Sequence, residues 1–172
     1  MTDNAITKNL QNGTLEMQDG AGTPSELTVP VDEGDFEYTV RPREAIPIYN
    51  RGVLTSFTQG PENAVTFSFS MKFREWGSRT LTGAPIAVAE FGSGVGSGSS
   101  LTSTLTCGPF CVDLIWHIAV NCTAAEDQNE DVTLPDSHFD EWSVAEGAEY
   151  NTIRSSGKSL TTWPTSVRSA AT

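Results

Sequence analysis

Nine consecutive residues, Val65–Phe73, do most to fix what this chain can fold into. Val65, Phe67, Phe69, Met71 and Phe73 alternate with Thr66, Ser68, Ser70 and Lys72. A strict period of two puts every large apolar side chain on one face of an extended strand and every hydroxyl or ammonium on the other. A helix would scatter the same side chains around its circumference, whereas a β-sheet with one buried and one wetted face uses them all. The pattern recurs in Phe36, Tyr38 and Val40 against Glu37, Thr39 and Arg41. It recurs again in Val112, Leu114, Trp116, Ile118 and Val120 against Asp113, Ile115, His117, Ala119 and Asn121. That last stretch is apolar on much of both faces, so it is expected at the centre of a sheet.

Between these strands the turn residues punctuate the chain. Residues 53–58, the turn signal Gln59-Gly60-Pro61-Glu62-Asn63 and residues 64–73 read as one β-hairpin. Residues 131–157 supply two or three more short strands. Pro85 suits a first helical position and Gly92 a helix end, which predicts one short helix over residues 85–91. Residues 92–100 are almost all Gly and Ser and read as a loop. Residues 41–50 carry Pro42 and Pro47 beside Ile46, Ile48 and Tyr49. They read as a long apolar loop of the kind that contacts another chain.

These elements predict an all-β fold, a β-sandwich or barrel-like domain with one short flanking helix and long loops. At 172 residues a single domain is expected over residues 26–163, with an N-terminal arm over 1–25, polar and without periodicity, and a C-terminal tail over 164–172. No run approaches the length of apolar sequence that spans a bilayer, and the N-terminal residues lack the basic and apolar regions of a signal peptide. Synthesis in a cytoplasm is the expectation.

Charge is divided along the chain. Residues 81–153 hold eleven Asp and Glu and no Lys or Arg, while six of the ten basic residues lie between Arg41 and Arg79. Specific or tight binding to bare nucleic acid needs clustered cations, so it is not expected. An acidic surface instead repels polyanions or attracts the basic part of another copy.

No constellation of residues specifies chemistry. Cys107, Cys111 and Cys122, with His117 or His138, match no common zinc spacing. Asp127, Asn129 and Asp131 begin like a calcium loop, but Val132 stands where that loop needs Gly and His138 where it needs Glu. Asp136, Ser137 and His138 hold the residue types of a hydrolytic triad, yet adjacent residues do not assemble one. The glycines of residues 92–100 follow no strand and open no phosphate-binding helix. Trp76, Trp116, Trp142 and Trp163 could offer a sugar platform, with core packing the simpler role. No enzyme activity, metal or cofactor is expected, and His117 is read as a hydrogen-bonded structural residue.

Taken in order, YNRGVLTSFTQGPENAVTFSFSMKFREW, CVDLIWHIAV, LPDSHFDEWSVAEGAEYNTIRSSG and LTTWP, covering roughly residues 35–165, resemble tail tube proteins, the major tail proteins of long-tailed, siphovirus-like bacteriophages. The resemblance lies in a strand pair near Arg51-Gly52, the Phe/Ser-rich strand after it, and Ala145-Glu146-Gly147 ahead of a short strand containing Asn151. It implies a structural virion protein, made in the host cytoplasm and placed in the tail. Its copies would close into hexameric rings that stack into a tube, and double-stranded DNA would pass through during ejection without specific binding. Tape measure, tail terminator and distal tail proteins are the implied partners. Under this reading Glu37, Asp113, Asp140 and Glu149 are the lumen-facing acidic candidates. Arg41, Arg51, Lys72 and Arg74, with Ile46, Ile48 and Tyr49, are the subunit-interface candidates. Two other readings stand beside it: another ring-forming phage component, such as a tail terminator or head decoration protein, and a carbohydrate-binding β-sandwich.

Overall fold

A computed structural model of the chain describes residues 13–29, 31, 35–73, 85–94, 101–118, 130–146, 151–161 and 165–168. Ten strands and one helix occupy them. In chain order they are β1 (Thr14–Gln18), β2 (Glu26–Val29), β3 (Phe36–Thr39), β4 (Ala45–Asn50), β5 (Val53–Gln59), β6 (Val65–Phe73), α1 (Pro85–Ser93), β7 (Val112–Ile118), β8 (Glu130–Ala145), β9 (Asn151–Ser159) and β10 (Thr165–Arg168). The expected all-β class with one short helix is what forms.

Eight strands make one antiparallel sheet in the order β2-β1-β7-β8-β9-β6-β3, with β10 also on β8, and β4 and β5 form a separate ribbon. The large sheet curls on itself. Phe36 and Tyr38 of the terminal strand β3 meet Trp116 of β7 with ring centroids 5.3 and 6.4 Å apart. The inner faces enclose one core, in which Leu15, Met17, Val65, Met71, Val112 and Leu114 are fully buried. Over residues 65–71 the expected alternation is the burial pattern of β6: Val65, Phe67, Phe69 and Met71 point inward, while Thr66, Ser68 and Ser70 are half-exposed. Burying a side chain of this size contributes roughly 1.5–3 kcal/mol, so this one strand supplies a large share of the core's stability.

The sixteen-residue β8 joins the two halves of the sheet by changing face twice. Val132 and Leu134 are buried, then Ser137 and Phe139, and then Trp142 turns in beside Phe139 with rings stacked at 5.1 Å. Each change of parity coincides with a break in register, one between Val112 and Leu114 on β7 and one between Phe139 and Glu141 on β8. Asp136 takes a left-handed φ of 49° at the first. Such bulges bend a strand and increase its twist, which is how one sheet encloses its own core. Buried serines hold the bends: Ser137 Oγ donates to the Leu134 carbonyl at 2.8 Å, Ser155 Oγ to the Glu141 carbonyl at 3.2 Å, and Ser159 Oγ to the Pro135 carbonyl.

Four expectations change. The C-terminal tail of residues 164–172 contains a strand, since β10 pairs with β8 over Thr165–Arg168. The N-terminal arm is too long by a strand, because β1 lies within residues 1–25, pairs with β2 and β7, and buries Leu15 and Met17. Residues 41–50 are not simply loop, since residues 45–50 form β4. Pro47 is tolerated because β4 has a single partner, and a missing N–H costs little on an unpaired edge. The predicted hairpin of residues 53–58 with 64–73 does not form; β5 pairs with β4, and β6 lies between β3 and β9. The turn Arg51-Gly52, with φ of 50° and 82°, is the tight two-residue connection whose twist matches a hairpin.

The helix forms as expected and runs to Ser93. It buries Val88 and Phe91, and the Gly94 N–H closes its end on the Phe91 carbonyl at 3.2 Å. Gly94 has a φ of 71°, the left-handed conformation favoured just past a helix.

Candidate functional site

The outward face of β8, β9, β6 and β3 is built from polar side chains in cross-strand rows, the central positions mostly Ser and Thr. Register aligns Glu37, Ser68, Ser156 and Glu141 in one row and Thr39, Thr66, Lys158 and His138 in the next. A third row holds Ser70, Arg154 and Ser143, with Asp35 accepting from Ser70 Oγ at 2.7 Å. Asp140, the bulged residue of β8, pairs with Lys158 Nζ at 3.3 Å. Small side chains leave two shallow troughs across these rows, about 490 and 330 Å³. Acid, base and hydroxyl are interspersed, so the face is wettable and has no deep cleft that would hold one ligand.

Two of the four acidic candidates, Glu37 and Asp140, are brought together on this face, both lining the smaller trough. Glu149 lies outside the described residues. Asp113 sits elsewhere, half-buried on β7, where its Oδ1 accepts the Asp136 N–H at 2.9 Å. Burial holds the Asp113 carboxyl above its ordinary range and the Asp136 charge adds to that, against the lowering by the Asp136 N–H. Cys111 nearby is also pushed up, first by burial and then by the Asp136 and Asp113 charges.

A group whose folded pKa is raised contributes stability that is complete below its unfolded value, 3.8 for Asp113, and is lost as pH rises through the folded value. Asp113→Asn keeps the acceptor for Asp136 and cannot ionise. Its melting temperature should therefore exceed that of the parent at pH 7, with the gap closing toward pH 3. Equal destabilisation at both pH values would show that the charge is not what strains the site.

The second exposed feature is the β4–β5 ribbon. Every residue of both strands is exposed, including Ile46, Ile48, Tyr49, Val53, Leu54 and Phe57. Thr55 Oγ1 donates to the Ile48 carbonyl at 3.1 Å beside the ribbon's own bulge. At its base the Gly60 N–H donates to the Glu44 carbonyl at 2.8 Å, Asn63 Nδ2 to the Pro42 carbonyl at 3.1 Å, and Arg43 pairs with Glu62. The interface candidates Ile46, Ile48, Tyr49 and Arg51 all lie on this ribbon, and Arg41 is exposed just ahead of it. Lys72 is remote on β6, in register with Thr152, and Arg74 lies outside the described residues. Sequence reading missed Val53, Leu54 and Phe57 as companions of this group because it paired β5 with β6.

The remaining motifs are placed as follows. His117 lies between two carboxylates, Nδ1 at 2.7 Å from Asp131 Oδ1 and Nε2 at 3.4 Å from Glu16 Oε2. This is the hydrogen-bonded structural role expected of it. His138 Nδ1–H donates to the Phe110 carbonyl at 3.0 Å, while Ser137 is buried and turned the other way, so residues 136–138 do not converge. Among the described residues no three His, Cys, Asp or Glu side chains gather as metal ligands would. Cys107 is exposed and Cys111 buried; Cys122, Asp127, Asn129, Trp76 and Trp163 lie outside the described residues. Trp116 and Trp142 pack against the core, in keeping with the simpler of their two expected roles.

No family model matches the chain, and no curated protein matches it in sequence. Among solved structures, it is similar to the SPP1 tail tube determined by solid-state NMR and cryo-EM. The TM-score is 0.55 at 10% identity, over 96% of this chain and 81% of that one. The fold is thus an all-β tail tube fold.

Proposed function

We propose that this chain is a structural subunit of a phage tail tube, one whose copies close into hexameric rings and stack around a channel that passes double-stranded DNA. The observation that carries the reading is the likeness in fold to the SPP1 tail tube over nearly the whole chain. Two further features support it. A formal net charge of −12 makes a polyanion slide past the subunit without adhering. The Ser- and Thr-rich outer face of β8, β9, β6 and β3, with Glu37 and Asp140 on it, is the kind of surface a wet channel requires, and in this reading it lines the lumen. The β4–β5 ribbon, with Arg41 and Arg51, makes the contacts between copies. A heterologous contact of this sort closes into a ring when its rotation is right. The tube belongs to the virion tail, its subunits are made in the host cytoplasm, and tape measure, tail terminator and distal tail proteins are its neighbours; no catalysis is involved.

Electron microscopy of the concentrated, purified full chain tests the reading. Rings or tubes with an open channel are expected. Monodisperse monomers at every concentration would overturn it.

A further inference from the structure

On the outer side of the sheet a chain of polar contacts crosses β2, β1, β7 and the first part of β8. Gln18 Nε2 donates to Glu26 Oε1 at 3.2 Å and to Glu16 Oε1 at 2.8 Å. The other oxygen of Glu16, Oε2, lies 3.4 Å from His117 Nε2, and His117 Nδ1 lies 2.7 Å from Asp131 Oδ1. Ionised carboxylates only accept, so every contact in this chain needs a proton from Gln18 or His117. The Gln18 amide has two and supplies both of its contacts. His117 has two only as the imidazolium, because a neutral ring carries one N–H and turns a lone pair toward the second carboxylate. The shorter contact keeps that one proton on Nδ1, so Glu16 is the residue that loses its donor.

We infer that His117 is a protonation-controlled clamp: charged, it ties β1 to β8 across β7, and on losing its proton it releases Glu16 and loosens the β1–β2 hairpin. The place of that hairpin in the sheet makes the contact matter. β2 is the terminal strand, so among the described residues the hairpin joins the rest of the sheet through the β1–β7 ladder alone. Its turn end is tied to the segment ahead of β7, where Asp19 Oδ2 accepts from the Thr102 N–H at 3.2 Å and the Gly20 N–H donates to the Thr102 carbonyl at 2.8 Å. Its open end, where Thr14 stands opposite His117, is the end the imidazolium holds. Leu15 and Met17 keep β1 in the core, so what changes with protonation is how often the pair opens. The charged and titratable groups around the ring are Glu16 on β1, Glu26 beyond it on β2, Asp113 on the same face of β7 and Asp131 on β8. On β10, Val167 is in register with Asp131 and Arg168 with Glu130. Histidine changes charge between about pH 5 and 8. The clamp is therefore complete toward the acidic end of that range and lost toward the alkaline end. The side chains of His117, Glu16 and Asp131 are 37%, 20% and 24% exposed, open enough to exchange protons with solvent and only partly screened by it. The clamp belongs to the single chain and operates whether or not copies assemble.

Amide hydrogen exchange of the full chain, read by NMR and corrected for the intrinsic effect of pH on exchange, measures how often each strand pair opens. From about pH 5.5 to about pH 8.5, opening of β1 and β2 relative to the β6–β9 ladder should rise roughly threefold to tenfold, the effect of one charge-assisted bond partly screened by solvent. His117→Gln cannot take up the proton, and in Glu16→Gln the amide can bond to either form of the ring, so each should remove the rise. If one of the two does not fold, the other decides. Asp113→Asn should keep the rise, which separates the clamp from the titration of that carboxyl. In the parent, the ring nitrogen shifts should show Nδ1 keeping its proton above the transition. A flat profile in the parent, a rise that survives either Gln variant, or its loss in Asp113→Asn would overturn the clamp. A neutral ring protonated on Nε2 would overturn it as well, since Glu16 would then keep its donor.

Discussion

Gly157→Ala is expected to lower the melting temperature by about 6–12 °C, on a cost of about 3 kcal/mol in a domain of this size. Gly157 sits in β9 opposite both Phe67 and Phe139. Because it has no side chain, the two rings meet across it, edge to face, with centroids 5.2 Å apart. A Cβ there would lie 2.1 Å from the His138 carbonyl oxygen and 2.5 Å from Phe67 Cζ. The ring could turn away at some cost in packing. The carbonyl belongs to the backbone of β8 beside its second bulge, so relief requires the strand to shift. Alanine also reduces the freedom of the unfolded chain, which favours folding by about 0.4–1 kcal/mol, so the measured loss is net of that gain. Gly22→Ala serves as the control, since nothing lies within 4 Å of its added Cβ, and it should stay within about 0.5 kcal/mol of the parent. Adding Phe67→Leu to Gly157→Ala should restore only part of the loss, because it frees the ring contact and not the carbonyl one. An unchanged melting temperature for Gly157→Ala would mean that the two strands are less tightly joined than the structure has them.

Asp19→Ala should cost about 3 kcal/mol, because one buried carboxylate accepts from three backbone donors at once. Asp19 is 4% exposed. Its Oδ1 accepts from the Ser25 N–H at 2.7 Å and the Ala21 N–H at 3.3 Å, and its Oδ2 from the Thr102 N–H at 3.2 Å. These bonds close the β1–β2 connection and attach it to the segment that leads into β7. Urea unfolding should show a lower midpoint at an unchanged slope, and the Thr102 amide should exchange with solvent faster. Asp19→Asn should fall between: its carbonyl oxygen can keep the Ser25 and Ala21 bonds, while its NH2 group would face the Thr102 donor. If Asn and Ala cost the same, the three bonds are not what Asp19 contributes.

The residues that announced the fold were those whose burial depends on one strand alone. The period-two runs survive in β3, in β6 over residues 65–71 and in β7 over residues 112–118, residues 119–121 lying outside the described residues, and the helix opened by Pro85 forms as well, because local geometry decides which way each side chain points. β1 was harder to see. Only Leu15 and Met17 mark its buried face, and what makes it a strand is pairing with β7, distant in sequence. In β8 the period breaks at Asp136 and again at Asp140, so no single alternation describes it. The acidic candidates divide on the same ground. Glu37 follows the parity of β3 and Asp140 is held at the bulge by Lys158, whereas Asp113 is drawn aside by the backbone of Asp136, a contact no spacing rule encodes. The ribbon was legible as an apolar, outward-facing segment with Arg51 on it. Its partner strand was assigned wrongly because Gln59-Gly60-Pro61-Glu62-Asn63 looked like the stronger turn, while Arg51-Gly52 made the tighter one.

The pairing of β1 with β7 also sets an order of events during synthesis. Thr14 stands opposite His117, so β1 must wait for roughly 100 further residues to leave the ribosome, and separations of that size slow folding. Until then the apolar side of β6 and both sides of the ribbon are in solvent together, a combination that invites misassociation between nascent chains. The yield of folded subunit should therefore depend on the rate of translation ahead of β7 and on chaperone supply more than on the stability of the finished domain.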